Sequence, residues 1–266
     1  MNTDNIQFDF TGHTVLVTGS SRNVGRVIAE EFLAAGGRVV FHGTEARSLY
    51  GIRASHANAF ETGTARGVTF DLSQREEIDA AFEELRREDW QPDVLINNAA
   101  HLGLGANGFM EQSDDFFREV LEVNLFAARR CCERAVPAMR ARGRGHIVNI
   151  SSLAGTRVIN GRSAYSVSKS ALNGLTRSMA VELIADGITV NAIAPGYIWT
   201  ERWNSLDADA ESRRRANVPL GEPTYASEIA ALAMFLASGS APSLIGQIIT
   251  MDAGMGVQQI PPDVGP

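Results

Sequence analysis

Seven short runs of apolar, mostly β-branched residues recur along this chain, and stretches of helical period separate them; no other feature constrains the fold as tightly. The runs lie at 14–17, 38–42, 67–70, 93–96, 146–150, 189–194 and 247–251, and the helical periods at 24–35, 75–87, 114–140, 164–185 and 226–237. Strand, helix, strand, repeated about six times, predicts a parallel sheet with helices on both faces. Runs such as VLVT, VLIN and IVNI are apolar at three positions in four with no alternation, as strands are when both faces are covered. The expected class is therefore α/β, a doubly wound parallel sheet of about seven strands in a three-layer αβα arrangement.

No repeat, low-complexity tract or Pro/Gly-rich linker interrupts the pattern, so residues 1–266 read as a single domain. The one long break is 197–223, too long for an idle connection and read as a substrate-loop insertion. The tail at 260–266 holds three prolines and reads as extended. A hydrophobic share of 44% with 21% charged residues excludes a disordered or fibrous chain. Net charge −7 argues against a nucleic-acid partner. The longest apolar stretch, 229–237, falls far short of the ~20 residues that cross a bilayer, so no membrane partner is expected. The first ten residues carry two Asp and no basic stretch, unlike a secretory leader. Cys131 and Cys132 are adjacent within a helical pattern and read as reduced core thiols, which points to the cytoplasm.

Directly after the first strand run comes Thr18-Gly19-Ser20-Ser21-Arg22-Asn23-Val24-Gly25, opening a helix. A tight turn that lets a pyrophosphate approach the backbone, with a helix N-terminus behind it, is an anion site. No Gly-Lys-Ser/Thr follows, which argues against a nucleoside triphosphatase loop. A dinucleotide fold of the NAD type often places a carboxylate about 20 positions on, against the ribose. Here Gly43 holds that position, Thr44 follows, and Glu45 sits two residues later. Arg22 in the turn is suited to a 2′-phosphate, with Arg47 assisting; NADP(H) is the expected cofactor, and NAD(H) the alternative if Glu45 takes the ribose.

Tyr165 and Lys169 stand four apart, on one face of a helix, and Ser152 ends a strand run thirteen positions earlier. Moving a hydride between an alcohol carbon and nicotinamide requires a proton to join or leave the substrate oxygen. A phenol near pKa ~10 is a poor base at neutral pH, and lowering it by about three units takes roughly 4 kcal/mol. A Lys⁺ at about 4 Å in an effective dielectric near 20 supplies about that much. Ser152 is placed to hydrogen-bond the same oxygen and stabilise charge developing there.

Together these motifs resemble the short-chain dehydrogenase/reductase family, across about residues 11–256, and its 3-oxoacyl-carrier-protein reductases in particular. The turn resembles the family's TGxxxGxG, with Asn23 for the middle glycine; Asn is the non-glycine residue that best tolerates a left-handed backbone. The resemblance implies a Rossmann-type fold and a catalytic set of Asn124, Ser152, Tyr165 and Lys169. In that set Asn124 bends its helix and holds a water joined to Lys169, and Lys169 also holds the nicotinamide ribose. It further implies cofactor contacts at Gly19, Ser20, Ser21, Arg22, Asn23, Val24, Gly25 and Thr44, and at the adenine-side pair Asp71 and Leu72. Asn98 and Ala99 come from Asn97-Asn98-Ala99-Ala100, where Ala100 replaces the family's Gly, and Pro195, Gly196, Ile198 and Thr200 lie beside the carboxamide. Gly246 to Gly254 resembles the family's last strand.

The implied activity is interconversion of a small-molecule carbonyl and secondary alcohol with Tyr165 as acid/base, in a homotetramer or homodimer. An epimerase or dehydratase holding its nucleotide tightly, and a non-enzymatic NADP sensor, are the rival readings. The five histidines, His13, His42, His56, His101 and His146, show no metal-ligand spacing, so no metal is expected, though His101 has the position to line the substrate cleft. Arg213 to Arg215 read as a solvated helix face. Trp199, Trp203 and Leu206 either cap the substrate or pack the 197–223 segment onto the body.

Overall fold

The computed structural model describes residues 7–105, 108–203 and 205–258. The tail expected to be extended, 260–266, lies outside the described residues. In chain order the elements are β1 (Thr14–Val17), α1 (Asn23–Ala34), β2 (Arg38–Gly43), α2 (Tyr50–Ser55), α3 (Ala57–Glu61), β3 (Ala65–Thr69), α4 (Arg75–Arg87) and β4 (Val94–Asn97). There follow α5 (Asp114–Leu121), α6 (Ala127–Arg142), β5 (Gly145–Ile150), α7 (Ser163–Leu183), β6 (Ile188–Pro195), α8 (Ala208–Ala216), α9 (Ala226–Ala237) and β7 (Ile248–Met251).

The sheet runs β3-β2-β1-β4-β5-β6-β7 with every pairing parallel. Strand order reverses between β1 and β4, which opens a crevice at the C-terminal edge of the sheet. Alternate strand residues explain the continuous apolar runs. Val15, Val17, Val39 and Phe41 pack with Ile28 and Phe32 of α1 and with Ile229 and Ala233 of α9. Their neighbours Leu16, Val40, Leu95 and Ile147 pack on the other face with Phe82 and Leu85 of α4 and with Cys131, Cys132 and Met139 of α6. Each such side chain taken fully out of water stabilises the fold by roughly 1.5–3 kcal/mol. Both cysteines are free and buried.

Three departures from the sequence pattern bear on the site. The single helix expected over 114–140 is divided, with one wide π turn at Glu122–Phe126 joining α5 to α6. Residues 46–61, which show no clear period, form a short 3-10 turn followed by α2 and α3. The break at 197–223 contains α8, started by Asp207, whose carboxylate accepts from Ala210 N at 2.7 Å. Among the described residues no helix is long and apolar enough to cross a membrane.

Candidate active site

The turn between β1 and α1 lies at the C-terminal edge, on the β1 side of the crevice. Gly19 has φ +64°, and a Cβ there would lie 2.9 Å from that of Ala99 at the end of β4. Asn23 adopts φ +50°, so the left-handed conformation that asparagine tolerates is the one found. At Gly25 a Cβ would lie 2.3 Å from Asn98 Nδ2 and 2.4 Å from Gly19 O, so only glycine lets the helix start this close to the turn. Asn98 directs its side chain at the turn, Nδ2 donating to Thr18 O at 2.9 Å, while Asn98 N and Ala99 N donate to Thr18 Oγ1. Asn98 thus braces the turn. The amides of the first turn of α1 have no intrahelical acceptor and form the cradle a pyrophosphate fits.

Arg22 is exposed on the turn, and Thr44 is exposed just beyond β2. Glu45, the carboxylate that would compete for a ribose, is ion-paired with Arg47. Asp71, just past β3, accepts from Ser73 N at 2.8 Å, and Leu72 packs against the core. Pro195 ends β6 and Gly196 N donates to Met251 O at 3.0 Å. Ile198 bridges to Thr224, and Thr200 O accepts from Trp203 N at 2.8 Å.

Ser152 follows β5, while Tyr165 and Lys169 share the inner face of α7, both buried. Ser152 Oγ accepts from Ala154 N at 3.1 Å and acts on the phenol of Tyr165, favouring its ionised form. The Lys169 ammonium lies 5.8 Å from the centroid of the Tyr165 ring and donates to Ile150 O at 2.8 Å. The electrostatics differ from the sequence expectation of a phenol lowered by lysine. Burial pushes Tyr165 above its ordinary range, while Ser152 and the Arg162 charge pull it back down. Lys169 is itself pushed down to about 8 by burial. The ammonium is engaged by the main-chain carbonyl of Ile150.

Asn124 sits in the π turn and is buried. Its Oδ1 accepts from His101 N at 2.7 Å; its Nδ2 donates to His101 O and to Ser168 Oγ, each at 2.9 Å. The side chain thus fastens the loop after β4 to the helix bearing Tyr165, and the extra residue of the π turn aims it there. His101, in this loop, places its ring edge-on to Phe116 of α5.

Two residues the sequence did not mark also shape the site. Gln112 accepts at Oε1 from Ser163 Oγ (3.0 Å) and Ala164 N (2.9 Å), capping the start of α7. Arg162 lies with its guanidinium carbon 4.8 Å from the Tyr165 ring centroid and donates to Leu102 O. Gln112 lies far from α7 along the chain, while Arg162 stands three residues before Tyr165, at the cap of the same helix.

In the 197–223 segment Trp199 and Trp203 stack at 5.5 Å, and the Trp203 indole donates to Ile198 O at 2.8 Å. Trp203 is buried, so the packing reading of these aromatics holds for it. Arg213 is exposed as expected, but Arg214 and Arg215 lie against these rings, and Arg215 also pairs with Glu211 and Glu222. The solvated-face expectation fails for those two because the indoles offer their guanidinium groups a cation–π surface.

A family profile described as enoyl-(acyl carrier protein) reductase matches residues 19–256. The 3-oxoacyl-(acyl-carrier-protein) reductase FabG of Salmonella typhimurium is 33% identical over 247 residues, 92% of this chain and 98% of its own. Its Aquifex aeolicus counterpart is 34% identical over 251 residues, 94% and 100% of the two chains. Among solved structures, a gluconate 5-dehydrogenase from Burkholderia cenocepacia in complex with NADP and tartrate superimposes with TM-score 0.86 at 26% identity, covering 95% of this chain and 98% of that one.

Proposed function

The chain belongs to the short-chain dehydrogenase/reductase family, a nicotinamide-dependent oxidoreductase of carbonyl and alcohol groups, and within it we propose an NADP(H)-dependent reductase in which Tyr165 is the acid/base. The observation that carries the reading is the convergence of Ser152, Tyr165 and Lys169 at the C-terminal edge of the sheet, in the crevice that the Gly19–Gly25 turn borders. The bound dinucleotide supplies or accepts the hydride. Tyr165 gives its phenolic proton to the substrate oxygen in reduction and takes it back in oxidation. Its phenol is held protonated at neutral pH by burial, which suits proton donation and therefore the reductive direction. Ser152 hydrogen-bonds the same oxygen, Lys169 holds the nicotinamide ribose, and Asn124 keeps the Tyr165 helix and the His101 loop in register.

NADP(H) over NAD(H) is favoured by Arg22 and Thr44, by the absence of a carboxylate at Gly43, and by the engagement of Glu45 with Arg47. The structural relative with bound NADP supports the same choice. The substrate is a small-molecule ketone or its alcohol. Residues 1–266 act as one catalytic domain in which 197–223 is the substrate-facing insertion. A homotetramer or homodimer pairing through α6 and α7 is supported by exposed Phe126 between α5 and α6, and by exposed Val167 and Val181 on α7. Those two valines share a stripe with Gly174, where nothing crowds a side chain. Free, buried cysteines support the cytoplasm as its setting.

Replacing Tyr165 by Phe tests the reading. The expected result is loss of NADPH oxidation across a ketone panel with NADPH binding retained; turnover that survives the substitution defeats the mechanism.

A further inference from the structure

His42 is the penultimate residue of β2, buried beneath the turn. Its Nδ1 accepts from Gly19 N at 2.8 Å, and its Nε2 lies 3.0 Å from Phe70 O. A backbone amide can only donate and a carbonyl can only accept, so the two partners require a lone pair on Nδ1 and a proton on Nε2. The Phe70 ring packs on the imidazole with centroids 3.9 Å apart. The main chain of the same residue makes two further bonds to the turn. His42 N donates to Ser20 Oγ at 2.8 Å, and Ser20 N donates to His42 O at 3.0 Å. Ser20 Oγ in turn donates to Val17 O at 2.7 Å.

Gly19 and Ser20 therefore use their amides within the protein. On the opposite side, Gly19 is against Ala99, where a Cβ would already lie at 2.9 Å. The turn is held between β2 and β4, and the donors left for an anion are the amides that follow Ser20 into α1.

We infer that His42 is a positioning residue of the nucleotide site, its neutral Nε2–H tautomer holding the Gly19 amide inward so that the amides from Ser21 onward are presented to the pyrophosphate. The inference rests on the reading of this turn as the dinucleotide site. Burial supports the neutral form by pushing the imidazole down to about 4, against the raising effect of Phe70 O and of Asp71, the charged group that acts on it from the end of β3.

The substitution His42→Phe keeps a ring of similar size without an acceptor, whereas His42→Asn places a carbonyl oxygen near the Nδ1 position. NADPH dissociation constants from fluorescence titration are expected to rise at least tenfold for the Phe variant and less than threefold for the Asn variant. The Phe variant's loss of turnover at low NADPH is recovered at saturating cofactor, whereas a general loss of structure lowers kcat as well. Long-range ¹H–¹⁵N spectra of the wild type at pH 7 are expected to show the Nε2–H tautomer, a readout independent of whether the Phe variant folds. An Nδ1–H tautomer or an imidazolium, a folded Phe variant with unchanged affinity, or an Asn variant as weak as a folded Phe variant overturns the inference. Failure of the wild type to bind either NADPH or NADH is a different result, and defeats the functional reading itself.

Discussion

Lys169 donates to the carbonyl of Ile150 at 2.8 Å, and the Tyr165 ring centroid lies 5.8 Å from the same nitrogen. The cation is thus held by the last residue of β5, buried and with no carboxylate paired to it among the described residues. Its pKa falls from an ordinary 10.5 to about 8, so the unfolded chain binds the proton more tightly than the folded one. That difference opposes folding by about 3 kcal/mol below pH 8 and fades as pH rises toward 10.5. Lys169→Met removes it while orphaning the Ile150 carbonyl, at about 1–3 kcal/mol. The expected variant is inactive yet at least as stable as the wild type in urea at pH 7; a clear loss of stability contradicts this account of the buried charge.

Arg162 is the second cation near Tyr165, with its guanidinium carbon 4.8 Å from the ring centroid, and it remains charged at any pH of interest. Its field lowers the phenol that burial raises. At about 6 Å, Coulomb energies for effective dielectrics of 80 and 20 correspond to roughly half a unit and two units of pKa. Arg162→Gln is therefore expected to move the rising limb of the pH profile of alcohol oxidation upward by an amount in that range, and Arg162→Lys to restore most of it. An unmoved limb in Arg162→Gln assigns the arginine to packing alone.

The strand runs were legible because both sheet faces are buried, which leaves VLVT, VLIN and IVNI with a single polar residue each and no alternation to blur them. The crevice followed from parallel topology, and the left-handed Asn23 from its side chain. What stayed hidden was tertiary in origin. The bend at Asn124 was implied by the family resemblance and is the π turn at Glu122–Phe126, but its partner, the His101 backbone 23 residues away, was not. Gln112 reaches the start of α7 from 51 residues earlier, across loops whose paths no local spacing encodes, whereas Arg162 stands only three positions before Tyr165 and carries no motif that marks it. Proximity along the helix likewise says nothing about the carbonyl of Ile150, which accepts the lysine's hydrogen bond in the folded chain.

Gly25 is the position where the smallest change has the largest consequence for the turn. An alanine methyl meets Asn98 Nδ2 at 2.3 Å and Gly19 O at 2.4 Å, atoms of the brace and the turn itself. Overpacking of this kind typically costs about 1–3 kcal/mol. Gly25→Ala is expected to lower the urea midpoint and to weaken NADPH binding by more than the stability loss alone explains. Normal NADPH affinity in this variant shows that the turn adapts without the brace.

The proposed preference for NADP(H) assigns the 2′-phosphate to Arg22, which is exposed, as is Thr44, while Glu45 is paired with Arg47. A guanidinium on a 2′-phosphate makes charge-assisted bonds worth roughly 1.5–3 kcal/mol. Arg22→Ala should therefore raise the NADPH dissociation constant about tenfold or more and leave NADH within about twofold, with the gap narrowing in high salt. Equal weakening of both coenzymes reassigns Arg22 to the pyrophosphate.

Two histidines, one buried and one half-buried, make the fold sensitive to mild acid. His42 beneath the turn and His146 at the far edge of the sheet are each pushed from 6.5 down to about 4, mainly by burial; His146 Nδ1 sits 2.9 Å from Thr189 Oγ1. Here the unfolded state binds protons more tightly between pH 4 and 6.5. Stability is complete above that window and declines as pH falls through it, by about 2 kcal/mol per histidine at pH 5. Urea denaturation at pH 7.5 and pH 5 should show the combined loss, about 4 kcal/mol, and His146→Gln should remove about half of it while leaving NADPH binding at pH 7.5 intact. His146 lies at the N-terminal end of its strand, remote from the crevice, so any effect of the substitution on binding would show that the two edges of the sheet are coupled. A pH dependence unchanged by His146→Gln would mean that this imidazole is protonated within the fold.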